Sequence, residues 1–148
     1  MIILCLIEYN IFSYIMNKKY HNKYKKNTSY QRHILKFGLF GIKSITAGRL
    51  TEIRVDILLR LINRSLRVVS KNLNMIKFWN LIFMNSTLTS LSPESRMGKG
   101  KGVVYTKSCY IKPGQILFEF SGISTNQMKI LHNFLKVKLP LKTKIIEK

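Results

Sequence analysis

The amino-acid sequence predicts an α+β domain. Three observations lead there. Two stretches have the spacing of amphipathic helices, several others have the length and apolar content of strands, and the two kinds are segregated along the chain rather than strictly alternating. A chain of 148 residues has room for one domain of ordinary size and a tail. With 46% apolar residues it can bury a core. The expected organisation is an apolar extension at 1–15, a basic arm at 16–36 and a single domain at 37–148.

The extension, MIILCLIEYNIFSYI, is not built like a signal peptide, because its cations follow the apolar run instead of preceding it. It is shorter than the ~20 residues of a spanning helix, and Glu8 and Asn10 interrupt it. It is neither Arg-rich nor amphipathic, as a mitochondrial presequence would be. Three readings stand: a signal-like or anchoring segment, an upstream extension before a start at Met16, or an element that packs on a neighbouring protein. The following stretch is polar and basic with interleaved Tyr, and includes Lys23, Lys25, Lys26 and Arg32. It reads either as a solvated tail or as an arm laid along a phosphate backbone, where its tyrosines can stack on unpaired bases.

Residues 37–50, FGLFGIKSITAGRL, read as a strand broken by glycines, with Lys43 and Arg49 as its cations. A helix is expected at about 52–70. Thr51 is placed to cap it, and Glu52 and Asp56 suit its positive end. Val55, Leu58, Leu59, Ile62, Leu66 and Val69 fall in one arc about 100° wide. Arg60, Arg64, Arg67 and Lys71 fall opposite. Cations spaced 4, 3 and 4 apart with no acid among them fit a phosphate-binding face better than a merely solvated one, which mixes signs. Residues 75–84, MIKFWNLIFM, read as a strand with Trp79 in the core. A polar run then leads to Arg96-Met97-Gly98-Lys99-Gly100-Lys101-Gly102. Strands are expected at 103–111 and 115–120, with a Lys112-Pro113-Gly114 turn between them. A second helix starts near Ser124, where Ser124 and Gln127 form a capping box and Met128, Leu131, Phe134 and Leu135 form its apolar stripe. Pro140 stops it, and a short strand, KTKII, follows.

The charge points to a partner class. Twenty-six Lys and Arg face six Asp and Glu, a formal charge of +20. Small soluble domains need a magnitude of only roughly 2–8, so this excess disfavours a free-standing metabolic enzyme. It favours a polyanion, nucleic acid first and an anionic membrane surface second. The run at 96–102 combines glycines, which let backbone approach closely, with cations on the same backbone. It reads either as a thin positive ribbon that enters a crevice between nucleic-acid helices or as an exposed hairpin tip. A nucleotide-cradling loop fits poorly: Val103 and Val104 favour strand, and the Ser or Thr of the P-loop pattern is absent. With so few carboxylates, general acid–base chemistry has little to draw on. Cys5 and Cys109 are far apart and the histidines scattered, so neither a disulfide framework nor a metal site is expected, and no cofactor. A single alanine, Ala47, among abundant Ile, Lys and Asn suggests AT-biased coding, frequent in organelle genomes.

Taken together, the segments resemble the bacterial-type large-subunit ribosomal protein L-sixteen family, in an organellar version. The resemblance is carried by Phe37-Gly38-x-Phe40-Gly41-x-Lys43, Gly48-Arg49-Leu50-Thr51, Lys77-x-Trp79, the run from Arg96 to Gly102, Pro113-Gly114-x-x-Leu117-x-Glu119, and Lys138-Leu139-Pro140-x-Lys142-Thr143. It covers roughly residues 25–146. It departs from the pattern at Thr46-Ala47, where the family has a Gly-x, and at Leu81 and Met84, where the family has Arg and Pro. The resemblance implies a hammerhead-type α+β fold with antiparallel or mixed strands and two helices. It also implies a structural, non-enzymatic role on large-subunit ribosomal RNA beside the peptidyl-transferase centre, with the glycine–lysine loop nearest the aminoacyl-tRNA. Partners would be that RNA, the tRNA transiently, and neighbouring ribosomal proteins, with no small-molecule substrate and no membrane. The sequence's drift from the bacterial pattern points to the mitochondrion.

Overall fold

The computed structural model describes residues 33–69, 76–96, 98 and 100–148. The expectations for residues 1–32, and for Lys71, Met97 and Lys99, lie outside them. In chain order the elements are β1 (Phe40–Ser44), β2 (Gly48–Thr51), α1 (Glu52–Val69), β3 (Lys77–Asn80), β4 (Ser86–Ser90), β5 (Val103–Ile111), β6 (Ile116–Ser121), α2 (Thr125–Lys138) and β7 (Thr143–Glu147). Among the described residues, two helices and antiparallel strands make the expected α+β fold. One sheet has the order β3-β6-β1-β7 and the other β2-β5-β4.

The stretch read as one strand at 37–50 is two strands in different sheets. The chain turns at 45–46, not at a glycine: the Ser44 hydroxyl donates to the Thr46 carbonyl at 2.6 Å, and the Thr46 hydroxyl accepts the Lys142 N–H at 3.1 Å. The strand expected at 75–84 is confined to Lys77–Asn80. A strand was missed at Ser86–Ser90, inside the polar run. STLTS has no apolar alternation to reveal it; its order comes from the ladder to β5, with the register shifting between Leu88 and Thr89.

Helix α1 buries Val55, Leu58, Ile62 and Leu66, as its periodicity requires. Helix α2 starts at the expected capping box: the Gln127 N–H donates to Ser124 Oγ, and the Ser124 N–H to Gln127 Oε1 at 3.0 Å. It buries Met128, Leu131 and Leu135, but Phe134 is 54% exposed, a correction to the predicted stripe. Phe134 sits about 100° around the helix from Leu135, which takes it off the core face.

Both helices share the main core with one face of the four-stranded sheet, where Ile42, Phe118 and Phe120 are fully buried. Among the described residues, no helix packs on the opposite face. It is closed by the segment before β1, whose Leu35 packs with Leu81 and Ile116 in a second, smaller core. Trp79, expected in the core, packs against that cluster from its margin and is only partly buried. Leu81, where the resemblance leads one to expect Arg, is buried there.

Candidate nucleic-acid interface

The cations predicted to bind nucleic acid lie on separate surfaces. Arg60, Arg64 and Arg67 are exposed together on α1, opposite its buried stripe. Exposed Ile53 and Ile57 share that face at its N-terminal end, so the face is cationic only over its last turns. Lys43 is half-buried on the helix-free face of the four-stranded sheet. Arg49 is exposed on β2 and lies opposite Tyr110 of β5.

The glycine–lysine run joins β4 to β5, so it is the tip of an antiparallel hairpin. Arg96, Gly98, Gly100 and Lys101 are exposed. Gly98 and Gly100 have φ of +91° and +83°, and a Cβ on either would meet nothing within 4 Å. Backbone conformation, not crowding inside this chain, therefore selects glycine at these two positions. At the base of the tip, a Cβ on Gly102 would strike the Ser90 carbonyl, which fixes the close pairing where the hairpin begins.

Sequence reasoning missed the device that organises the helix-free face. Glu119, on β6, is 1% exposed. Its Oε2 accepts the N–H groups of Lys36 at 3.2 Å, Phe37 at 2.7 Å and Gly38 at 2.9 Å. A run of backbone donors around one carboxylate satisfies a buried charge-bearing group that would otherwise be costly. A Cβ on Gly38 would collide with the Phe120 carbonyl, so only glycine lets the segment lie this close to β6. Clamped in this way, Phe37 is 55% exposed and stacks on Trp79, with ring centroids 5.8 Å apart and planes inclined by 23°. The signal in the sequence was Gly38 directly after Phe37 and one acid on an otherwise apolar strand.

Two other chemistry-bearing side chains are buried or half-buried. Cys109 is buried, and its burial pushes the thiol up to about 11. His132 Nε2 lies 3.0 Å from the Thr143 hydroxyl. Among the described residues, no group of three or more His, Cys, Asp or Glu could hold a metal ion, and no helix is long and apolar enough to cross a membrane.

Comparison with known proteins agrees with the sequence resemblance. A family model described as ribosomal protein L16p/L10e matches residues 14–146, which extends further toward the N-terminus than the motifs alone. The large ribosomal subunit protein uL16m of Chondrus crispus is 40% identical over 124 residues, 84% of this chain and 90% of that protein. The large ribosomal subunit protein uL16 of Psychrobacter cryohalolentis is 34% identical over 131 residues, 88% of this chain and 91% of its own. That of Buchnera aphidicola subsp. Baizongia pistaciae is 38% identical over 112 residues, 76% and 78% of the two chains. A match running through both sheets and both helices, with relatives covered over most of their own length, places this chain in the ribosomal protein L16p/L10e family, whose members are structural ribosomal proteins and not enzymes.

Proposed function

We infer that this chain binds large-subunit ribosomal RNA beside the peptidyl-transferase centre of a mitochondrial ribosome and helps shape the cleft that receives aminoacyl-tRNA. One observation carries the reading. The run from Arg96 to Gly102, the most specific motif of the resemblance, lies in the connection of a hairpin where Arg96, Gly98, Gly100 and Lys101 are exposed, and Gly98 and Gly100 hold φ > 0 with nothing within 4 Å of a Cβ on either. A left-handed backbone with open space where side chains would stand is suited to a partner that comes within backbone distance. Folded RNA and the acceptor end of a tRNA are such partners for a protein of charge +20. The arginine face of α1 supports the same reading, because exposed Arg forks suit phosphate. The mitochondrial placement is supported by the likeness to a uL16m protein.

The mechanism is electrostatic positioning. Lys and Arg displace counterions from phosphates, most contacts go to the RNA backbone, and the RNA keeps the chemistry of peptide transfer. The test is sedimentation and crosslinking of the tagged chain in cells that encode it. Expected is co-migration with the mitochondrial large subunit and crosslinks from the 96–102 tip to RNA near the tRNA acceptor end. A chain that stays in free fractions, or whose RNA binding is insensitive to salt, overturns the reading.

A further inference from the structure

We propose that the helix-free face of the four-stranded sheet holds one unpaired RNA nucleotide, its base stacked on the Phe37–Trp79 pair. The proposal rests on the RNA-binding reading above and adds a site to it. Single exposed aromatics are ordinary on protein surfaces. This one differs in being fixed from two sides. The Phe37 N–H is held by the buried Glu119 carboxylate at 2.7 Å, and the ring rests at 5.8 Å on Trp79, which itself leans on the Leu35–Leu81–Ile116 cluster. A half-exposed ring held in one orientation loses little freedom when a flat partner lands on it.

The surroundings say what that partner is. Strand alternation puts Lys77 on the same side of β3 as Trp79, and places Lys43 and Lys144 opposite each other on that side of β1 and β7. Lys36 adjoins Phe37 in sequence and is exposed. Among the described residues, Glu119 is the carboxylate on this face of the sheet, and it is buried and occupied by backbone donors. An aromatic platform on a sheet face that also carries lysines is complementary to a nucleotide, whose base offers a π-face and whose phosphates offer charge. An RNA double helix offers no unstacked base here, and an apolar side chain of a protein has no use for the lysines. Stacking uses the π-face that every base has, so the site tolerates any base.

The test uses the full chain and a fluorescein-labelled octamer of uridine containing one 4-thiouridine. Anisotropy gives affinity, and near-ultraviolet crosslinking followed by mass spectrometry gives position. Expected are a crosslink to the peptide containing Phe37 or Trp79 and a loss of affinity of about 5- to 150-fold in Phe37→Leu, the effect of one stacked base. Phe37→Tyr, which keeps a ring, restores the affinity, and its circular dichroism matches wild type. Lys77→Gln lowers the salt dependence but keeps the crosslink. Binding with unchanged affinity in Phe37→Leu, or with crosslinks only elsewhere, overturns the stacking site and leaves the RNA-binding reading standing. Failure to bind either the octamer or large-subunit ribosomal RNA overturns both.

Discussion

At the residue scale, one carboxylate and one imidazole make separable predictions. Glu119 is held by three backbone donors, so Glu119→Gln turns an amide NH2 or a weaker acceptor toward those N–H groups. The expected loss is about 3 kcal/mol of stability, read as a lower urea midpoint. A midpoint within error of wild type would show that the clamp is not needed. His132 is held below its ordinary value chiefly by burial. The Lys136 charge acts in the same sense, and the hydrogen bond to Thr143 opposes both. The unfolded chain therefore takes up this proton first as the pH falls. Stability from the neutral ring is complete above about 6.5 and is lost as pH falls through the folded value. Between pH 7.5 and 5, the urea midpoint of His132→Gln should fall less than that of wild type. Parallel pH curves for the two would sink the assignment.

At the scale of elements, the arginine face of α1 is testable apart from the fold. Arg60, Arg64 and Arg67 are exposed and make no part of the core, and Gln has nearly the helix propensity of Arg. The triple Gln variant should keep its circular dichroism. Its binding to large-subunit ribosomal RNA should show a plot of log affinity against log salt that is shallower by about 2–3, the slope of three lost phosphate contacts. An unchanged slope would make the face merely solvated. The comparison also shows what a sequence exposes and what it hides. Helix α1, the capping box of α2 and the 112–114 turn were legible because each is dictated by neighbours a few residues away. Strand β4 was not, because STLTS owes its pairing to β5, and the Glu119 clamp was not, because its partners lie more than eighty positions back. The division of 37–50 between two sheets was hidden for the same reason: local propensity reports an extended chain, not the sheet it joins.

At the scale of the whole molecule, charge and shape make different demands, and the hairpin tip separates them. The body of the protein is closed by its two cores, and neither includes a residue of the tip, where a Cβ on Gly98 or Gly100 would meet nothing within 4 Å. The tip's cations contribute charge that many other lysines and arginines also supply, whereas its glycines supply a backbone path that no other residue type follows cheaply. Gly100→Val should therefore be worse than Lys99→Ala. A β-branched residue at φ +83° costs about 1–2 kcal/mol locally, and the tip will leave that conformation instead of enduring the strain. Because the tip is exposed, the melting temperature of the free chain should stay within about two degrees of wild type in both variants. Organelle translation should fall clearly in Gly100→Val and only slightly in Lys99→Ala, measured as incorporation of labelled amino acid by isolated organelles carrying each variant. Equal defects in the two would mean that the tip acts through its charge alone. A large drop in melting temperature for Gly100→Val would mean that the glycines serve the fold of this chain and not the surface it meets.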